Sequence, residues 1–336
     1  MNKIVNRESS YQILVIGVQI YSIFIIIWLT LRHFFADAFW PLAILNTSAM
    51  YCFAPLILLL VPVIFSRHKL AIGSLLIPII AFVSLWGTLL IPVRPSADSS
   101  PSLRTMTFNV LNSNTDMEKL VRAVAAGQPD VVGFQELGSR SAAAIRAYFA
   151  EEYPYATFDE AAPGSVGLMS RFPITAVHRF PFPPKDLALH AEIDWNGQPI
   201  HVFVAHLSSN NLFNHSLKTM PQLTRERYAQ RADQVTRLED LLDAISDPII
   251  LLCDCNFTDT SEAYGRLDTR LNDSYKKPGW GTGHTLYTRG IPFRVQRVDY
   301  VWHSDHFIAL RSFVGQDGGS DHRPVVSTLS FRGNDE

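Results

Sequence analysis

Charge is missing from three long stretches of this chain, 9–31, 38–66 and 70–93, each at least 23 residues long and filled with Ile, Leu, Val, Phe and Trp. A helix needs about 20 consecutive apolar residues to cross a bilayer. The pattern therefore predicts three transmembrane helices, near 11–31, 40–64 and 71–92. Buried core helices of a water-soluble protein are the alternative, and three such runs within the first hundred residues argue against it. A cleaved signal peptide is disfavoured for the first run. Its apolar part exceeds the usual stretch of about 7–15 residues, and no small-x-small cleavage site follows it.

Orientation is read from basic residues in the short flanks. Lys3 and Arg7 precede the first run, and Arg67 and Lys69 lie in the tight link between the second and third. The first link carries Arg32 offset by Asp37, while Arg94 and Arg104 follow the third run and weaken the bias. The expectation is a multi-pass membrane protein, its N-terminus cytoplasmic and everything after Pro92 on the outer side; in a bacterium the membrane would be the inner one. The stretch 94–102, "RPSADSSPS", reads as a linker. Three units follow: 1–93 in the membrane, the linker, and a soluble domain over 103–331.

From residue 102 onward there are 23 Lys plus Arg against 28 Asp plus Glu, a net of −5 with His neutral. No bulk basic excess exists to drive non-specific nucleic-acid binding. That weighs against a pure nucleic-acid-binding module but leaves room for an enzyme that holds phosphate through a metal. Cysteine is scarce, at three residues, and Cys52 falls in an apolar run. Cys253 and Cys255 are taken to point to opposite faces of a strand, and a count this low leads to no expectation of a disulfide framework or a zinc site.

The soluble part mixes strands and helices. "LRTMTFNVL", "VVGFQEL", "SVGLMSRFPI", "PIILLCDCNF", "RVQRVDYVWHS" and "HRPVVSTLSF" read as strands. The helical pattern of "TDMEKLVRAVAAGQPD" starts at Thr115 or Asp116 and stops at Gly127 and Pro129. Asn196-Gly197 joins two alternating runs as a hairpin. "RYAQRADQVTRLEDLLDAI" is a long amphipathic helix on which Arg231 and Gln234 either face the site or are solvated, the solvated reading being preferred. Two loops stand out: 208–223, with Leu212 and Phe213 placed toward a membrane surface, and the glycine-rich 276–290, with Trp280, His284 and Tyr287, which reads equally as a loop at a site mouth or as an ordinary surface loop.

Strand ends in this part carry polar groups where apolar ones belong. Asn109, Gln135-Glu136, His206, Asp254 with Asn256, and Asp321-His322 all fall at such positions, and Asp299 stands between valines. A carboxylate inside an apolar strand loses hydration unless it is paired. Singly, each could be a cap, a turn residue or a satisfied histidine. Jointly they are the carboxylates, amides and imidazoles that metal-assisted phosphate chemistry requires.

The ordered set "TFNV", "QPDVVGFQEL", "VAHL", "CDCN", "RVDYVW" and "SDHRPV" resembles the endonuclease/exonuclease/phosphatase (DNase I-like) superfamily over roughly 103–331. The resemblance implies a four-layer α/β/β/α sandwich with the site at one end. It implies a divalent metal, Mg2+ or alternatively Mn2+, at Glu136 and Asn109, with Asp321 a neighbouring position linked to metal. It places Asp254 and Asn256 where the family positions water and contacts phosphate. His322 becomes the catalytic histidine, Asp299 its orienting carboxylate, and His206 a second histidine. Three positions depart from the pattern: Cys253 replaces a usual Gly, Cys255 stands between Asp254 and Asn256, and Ala205 replaces a usual polar residue. The resulting expectation is a membrane-anchored, Mg2+-dependent phosphoesterase cleaving phosphodiesters, nucleic acid and phospholipid both being open as substrate. No obligate protein partner is inferred. The alternative is a catalytically silent membrane scaffold on the same fold.

Overall fold

The structure is a computed structural model describing residues 2–93, 101–158, 165–183, 186–209, 218–288 and 291–332. Most of the expected linker, at 94–100, and the loop residues Leu212 and Phe213 lie outside the described residues. The chain divides into two compact units, Met1–Gly87 with Thr260–Glu262, and Thr88–Asp259 with Ala263–Glu336.

The first unit is helical: α1 (Asn2–Phe35), α2 (Trp40–Thr47), a 3-10 turn (Ala49–Phe53), α3 (Pro55–Ser66) and α4 (Lys69–Leu90). Three stretches are long and apolar enough to cross a membrane: Tyr11–Phe35, Ala49–Ser66 and Lys69–Leu90. The second apolar run is not the single helix expected over 40–64. Pro41 and Pro55 each open a new segment, since proline fits the first helical turn but lacks the N–H that an interior position needs. Asn46 uses that break. It accepts a hydrogen bond from Trp28 Nε1 (3.0 Å) and donates to Ala36 O (3.0 Å) and Asp37 Oδ1 (2.8 Å). Val18, Val63, Ala71 and Leu75 form a small buried cluster, while Ile57, Leu58 and Phe65 are each more than three-quarters exposed. Apolar side chains facing outward all along a helix suit lipid rather than water.

The second unit carries β1 (Ser102–Asn109), β2 (Val131–Leu137), β3 (Tyr155–Phe158), β4 (Ser165–Ser170), β5 (Ile174–Phe182), β6 (Asp186–Trp195) and β7 (Gln198–His206). It continues with β8 (Ile249–Asp254), β9 (Asn272–Asp273), β10 (Leu286–Tyr287), β11 (Arg294–Gln296), β12 (Asp299–His303), β13 (Phe307–Val314) and β14 (Val325–Phe331). Two six-stranded sheets result, ordered β13-β14-β1-β2-β4-β3 and β5-β6-β7-β8-β12-β9, with β10 and β11 paired apart.

The sheets pack face to face closely enough to require glycine at one point: a Cβ on Gly133 in β2 would meet Leu252 and Val204 of the other sheet at 2.8–3.0 Å. Helices α5 (Met117–Gly127) and α6 (Ser139–Phe149) cover the outer face of the first sheet, burying Leu120, Val124, Ile145 and Phe149 on Phe108, Val132 and Phe134. Asp116 caps α5 by accepting from Lys119 N (3.1 Å), and Gln128 ends it in the left-handed region. On the second sheet, α7 (Met220–Asp243) and α8 (Glu262–Asp268) bring Val235, Leu238, Leu242 and Leu267 onto Phe203, Ala205, Leu251 and Cys253. This is the four-layer α/β/β/α arrangement. At the β6–β7 turn Asn196 and Gly197 have φ of 56° and 86°, as a two-residue hairpin of this hand requires.

Candidate active site

Strand register builds the site. In the second sheet His206 of β7 is the cross-strand partner of Asp254 of β8, and Asp299 of β12 is its partner on the other side. Three polar residues thus stand in one row across three neighbouring strands. Side chains in such a row have Cβ atoms about 4.5–5.5 Å apart. Because strand side chains alternate, Asp254 shares the inter-sheet face with Leu252, two residues earlier. There it meets Asn109 from the end of β1 in the other sheet: Asn109 Nδ2 donates to Asp254 Oδ2 at 2.8 Å and to Glu136 Oε1 at 3.1 Å.

Glu136 reaches this point through a backbone irregularity. A regular β2 would turn Gln135 and Glu136 to opposite faces. Instead the β2–β4 pairing shifts between Phe134 and Leu137, and Glu136 takes φ 52°. A bulge re-aims a side chain in this way, and the left-handed conformation costs a non-glycine residue roughly 1–3 kcal/mol. The redirected carboxylate accepts from Asn109 and from Asn112 N (3.3 Å). Gln135 stays between the sheets, donating to Leu252 O at 3.2 Å.

His322, on the segment leading into β14, completes the set. Its Nδ1 lies 2.8 Å from Asp299 Oδ2, and its Nε2 lies 3.8 Å from Asp254 Oδ2. His206 Nε2 lies 3.5 Å from the same Asp254 oxygen and 3.9 Å from Glu136 Oε1. Asp254, Asp299 and His322 are all buried. Burial raises the Asp254 carboxyl, with the nearby Asp299 charge adding to the rise and the His322 and His206 imidazoles opposing it. For His322 burial works against the imidazolium, but Asp299 and Asp254 together outweigh it and hold the group above its ordinary value.

Ser320 anchors the segment, its hydroxyl donating to Asn109 O (2.8 Å) and accepting from His322 N (3.0 Å). Asp321 raises His322 by its charge. Among the described residues no hydrogen bond or ion pair joins its carboxylate to another candidate; its contact is the Ser320 hydroxyl at 3.4 Å. The 276–288 segment lies against this strand entry, with Tyr287 N donating to Asp321 O (2.7 Å) and Arg323 N to Thr285 O (3.1 Å).

Asn256 also sits in the left-handed region, at φ 51°, a conformation asparagine tolerates. Its N–H donates to Asp254 Oδ1 (3.2 Å) and its amide to Leu207 O (2.9 Å).

Two expectations fail here. Arg231 and Gln234 are not solvated; both are buried. Arg231 Nη1 donates to Asn256 O (2.6 Å) and Ser208 O (3.1 Å), and Gln234 Oε1 accepts from Ser208 N (2.8 Å). The long helix braces the loops that follow β7 and β8, because its buried stripe extends past Val235 toward the site. The second failure is the cysteine pair. Cys253 and Cys255 form a disulfide. Residues two apart in extended chain share a face, not opposite faces. Both lie buried under the helices, on either side of Asp254 in sequence.

The donor set suits a hard divalent cation. Asp254, Asp299 and His322 each bring one ligand atom within 4.8 Å of the others. Two carboxylates, Glu136 and Asp254, converge on a single amide, and converging negative charge is stabilised by a cation.

The Endonuclease/Exonuclease/phosphatase family matches residues 106–322. Among solved structures, an endonuclease/exonuclease/phosphatase from Bacteroides vulgatus is similar at a TM-score of 0.57 and 17% identity, over 69% of this chain and 100% of that one. D. rerio TDP2 complexed with single strand DNA product is similar at 0.53 and 19%, over 69% and 100%. Sphingomyelinase C from Streptomyces griseocarneus is similar at 0.51 and 19%, over 68% and 99%. A search of the curated proteins finds no match.

Proposed function

The chain belongs to the endonuclease/exonuclease/phosphatase family, and from that premise we propose that it is a membrane-anchored, Mg2+-dependent phosphodiesterase. One observation carries the reading: the buried Asp299–His322 pair, at 2.8 Å, aims the other imidazole nitrogen at Asp254 beside Glu136 and Asn109.

Asp299 fixes His322 in one tautomer, so that Nε2 faces the cleft. This is the orienting role of a carboxylate behind a catalytic imidazole. Asp254 holds the attacking water and accepts its proton, kept in place by the Asn256 N–H and the Asn109 amide. His322 donates toward the leaving oxygen, and His206, with Asn256 beside it, donates to the phosphoryl oxygens as charge builds on them. Glu136 and Asn109, with Asp321 nearby, would hold the cation, and oxygen donors favour Mg2+ or Mn2+ over softer ions. When bound, the ion supplies Lewis-acid neutralisation of phosphoryl charge.

The three apolar helical stretches support anchoring in a membrane; a cytoplasmic N-terminus rests on Lys3, Arg7, Arg67 and Lys69 in the flanks alone. The Cys253–Cys255 disulfide supports an extracytoplasmic catalytic domain, since disulfides persist in oxidising compartments.

Purified full-length protein in detergent, assayed with Mg2+ and with EDTA, tests this reading. Substrates are a single-stranded oligonucleotide, sphingomyelin vesicles, phosphatidylinositol vesicles and a chromogenic bis-phosphodiester. Mg2+-dependent release from at least one is expected. Silence on all four, in protein that is folded by circular dichroism, would favour the scaffold reading instead.

A further inference from the structure

Away from the cleft, on the face of the second sheet that α7 partly covers, three histidines cross three adjacent strands. His178 of β5 is the register partner of His190 of β6, and Glu192 of β6 is the partner of His201 of β7. Residues two apart on one strand share a face, so His190 and Glu192 point the same way. His190 Nε2 lies 2.8 Å from His201 Nδ1, which puts His201 on that face too. Across the other ring nitrogen, His201 Nε2 faces Asp247 Oδ2 at 3.6 Å. Phe203 stacks flat on His190, centroids 4.3 Å apart, and fixes the ring plane.

We propose that His178, His190, His201 and Glu192 form a second metal site, selective for a borderline divalent ion of the Zn2+ type. Three imidazoles and one carboxylate on one surface are a nitrogen-rich donor set that suits Zn2+, Cu2+ or Ni2+, and not the hard ion suited to the cleft. Asp247 stands on the side of His201 from which a carboxylate orients a ligating histidine, though at 3.6 Å it makes no hydrogen bond to the ring. Nitrogens each about 2.0–2.1 Å from a tetrahedral Zn2+ lie about 3.3 Å apart, so the His190–His201 contact opens by only about half an ångström on binding. His178 is exposed, its ring centroid 5.9 Å from that of His190; the four donors do not converge on one point in this structure, and His178 would join the others only through a rotamer change. The two sites are separate: His201 and His206 are five residues apart on β7, roughly 17 Å at the strand rise. The cysteine count, from which no zinc site was expected, says nothing about donors of this kind.

Zn2+ titration by calorimetry on the full chain in detergent, with Mg2+ in excess, tests the proposal. Wild type is expected to bind one Zn2+ at micromolar concentration or below. His190→Gln and His201→Gln should each weaken it at least tenfold, and His178→Ala, at an exposed position that leaves folding intact, should weaken it severalfold. His322→Ala should leave it unchanged. The proposal fails if wild type takes up no Zn2+, if affinity is the same in His178→Ala and both glutamine variants, or if only His322→Ala reduces it.

Discussion

The α/β domain carries two groups of imidazoles, one between its sheets and one on the outer face of the second sheet, whose surroundings push them in opposite directions. In the cleft, His322 is flanked by Asp299 and Asp254, and these carboxylates overcome burial and favour the imidazolium. On the covered face, His190 is flanked by His201, His178 and the ring of Phe203, so burial and like charge favour the neutral ring. Both rings are held by a close contact at one nitrogen. On the roles proposed, the partner decides the outcome: a carboxylate would make a proton donor, whereas a second imidazole would make a ligand. The same contrast extends to the metals proposed, oxygen donors in the cleft and nitrogen donors on the outer face.

The strongest way to break the contrast is to remove the cleft imidazole. His322→Ala is expected to lower turnover by roughly 10²–10⁴-fold, the usual worth of a general acid–base, while Zn2+ affinity stays constant. Steady-state kinetics at saturating Mg2+ measure this, and near-wild-type turnover would remove His322 from the chemistry. Next comes the carboxylate at the β2 bulge. Glu136→Gln should raise the Mg2+ concentration for half-activity by about 10–100-fold, the scale on which weakened metal sites lose affinity. An unchanged Mg2+ titration would place the cation elsewhere.

A smaller effect is expected from Arg231, which touches neither group of imidazoles. Arg231→Met removes donors from Asn256 O and Ser208 O, so the loop that holds Asp254 loosens. Turnover should fall about tenfold with the Mg2+ half-point unmoved, and the lost hydrogen bonds to buried carbonyls should cost about 1–3 kcal/mol of stability. Arg231→Lys should recover part of the turnover. Equal loss in both variants would point to a role in folding alone.

The cleft was legible in the sequence because its residues sit at strand ends and inside apolar strands, where a polar group needs a reason. Asn109, Glu136, His206, Asp254, Asp299 and His322 are one contact network, and register alone aligns three of them. Asp321 lies next to that network without a direct bond to it, a distinction one-residue spacing cannot express. For Arg231 and Gln234 the sequence favours the solvated reading over one facing the site because a helix presents polar residues to water far more often than to a buried loop. The β2 bulge was missed, since nothing in "VVGFQEL" distinguishes a shifted register from a regular strand. Strand alternation puts Cys253 and Cys255 on one face but does not foretell the disulfide: two residues apart in a regular strand are too far separated to bond, and the Cα–Cα distance of 5.2 Å is reached where the chain leaves β8 after Asp254. The histidine ladder was not legible, because His178, His190 and His201 come together only through the pairing of β5, β6 and β7.

The smallest predicted effect separates the two groups of imidazoles by sign. For His190 the folded-state value lies at about 4, below the ordinary 6.5. Between those values the unfolded chain binds a proton that the folded protein refuses. His190 therefore gives full stability above pH 6.5 and loses it as the pH falls toward 4. The groups facing it are His178, His201 and Phe203, with Glu192 opposing the shift and Asp247 acting through His201. His322 behaves in reverse: raised to about 10, it contributes stability that is complete below 6.5 and lost as the pH rises through the folded value. Melting curves of metal-free protein in EDTA should show His190→Phe flattening the acid limb and leaving the alkaline limb alone. Asp299→Asn should flatten the alkaline limb and spare the acid one. Shifts of a few degrees are expected for a domain of this size. If His190→Phe left the acid limb as steep as wild type, the ring would be titrating normally, and the electrostatic half of the contrast would be lost even with the metal site intact.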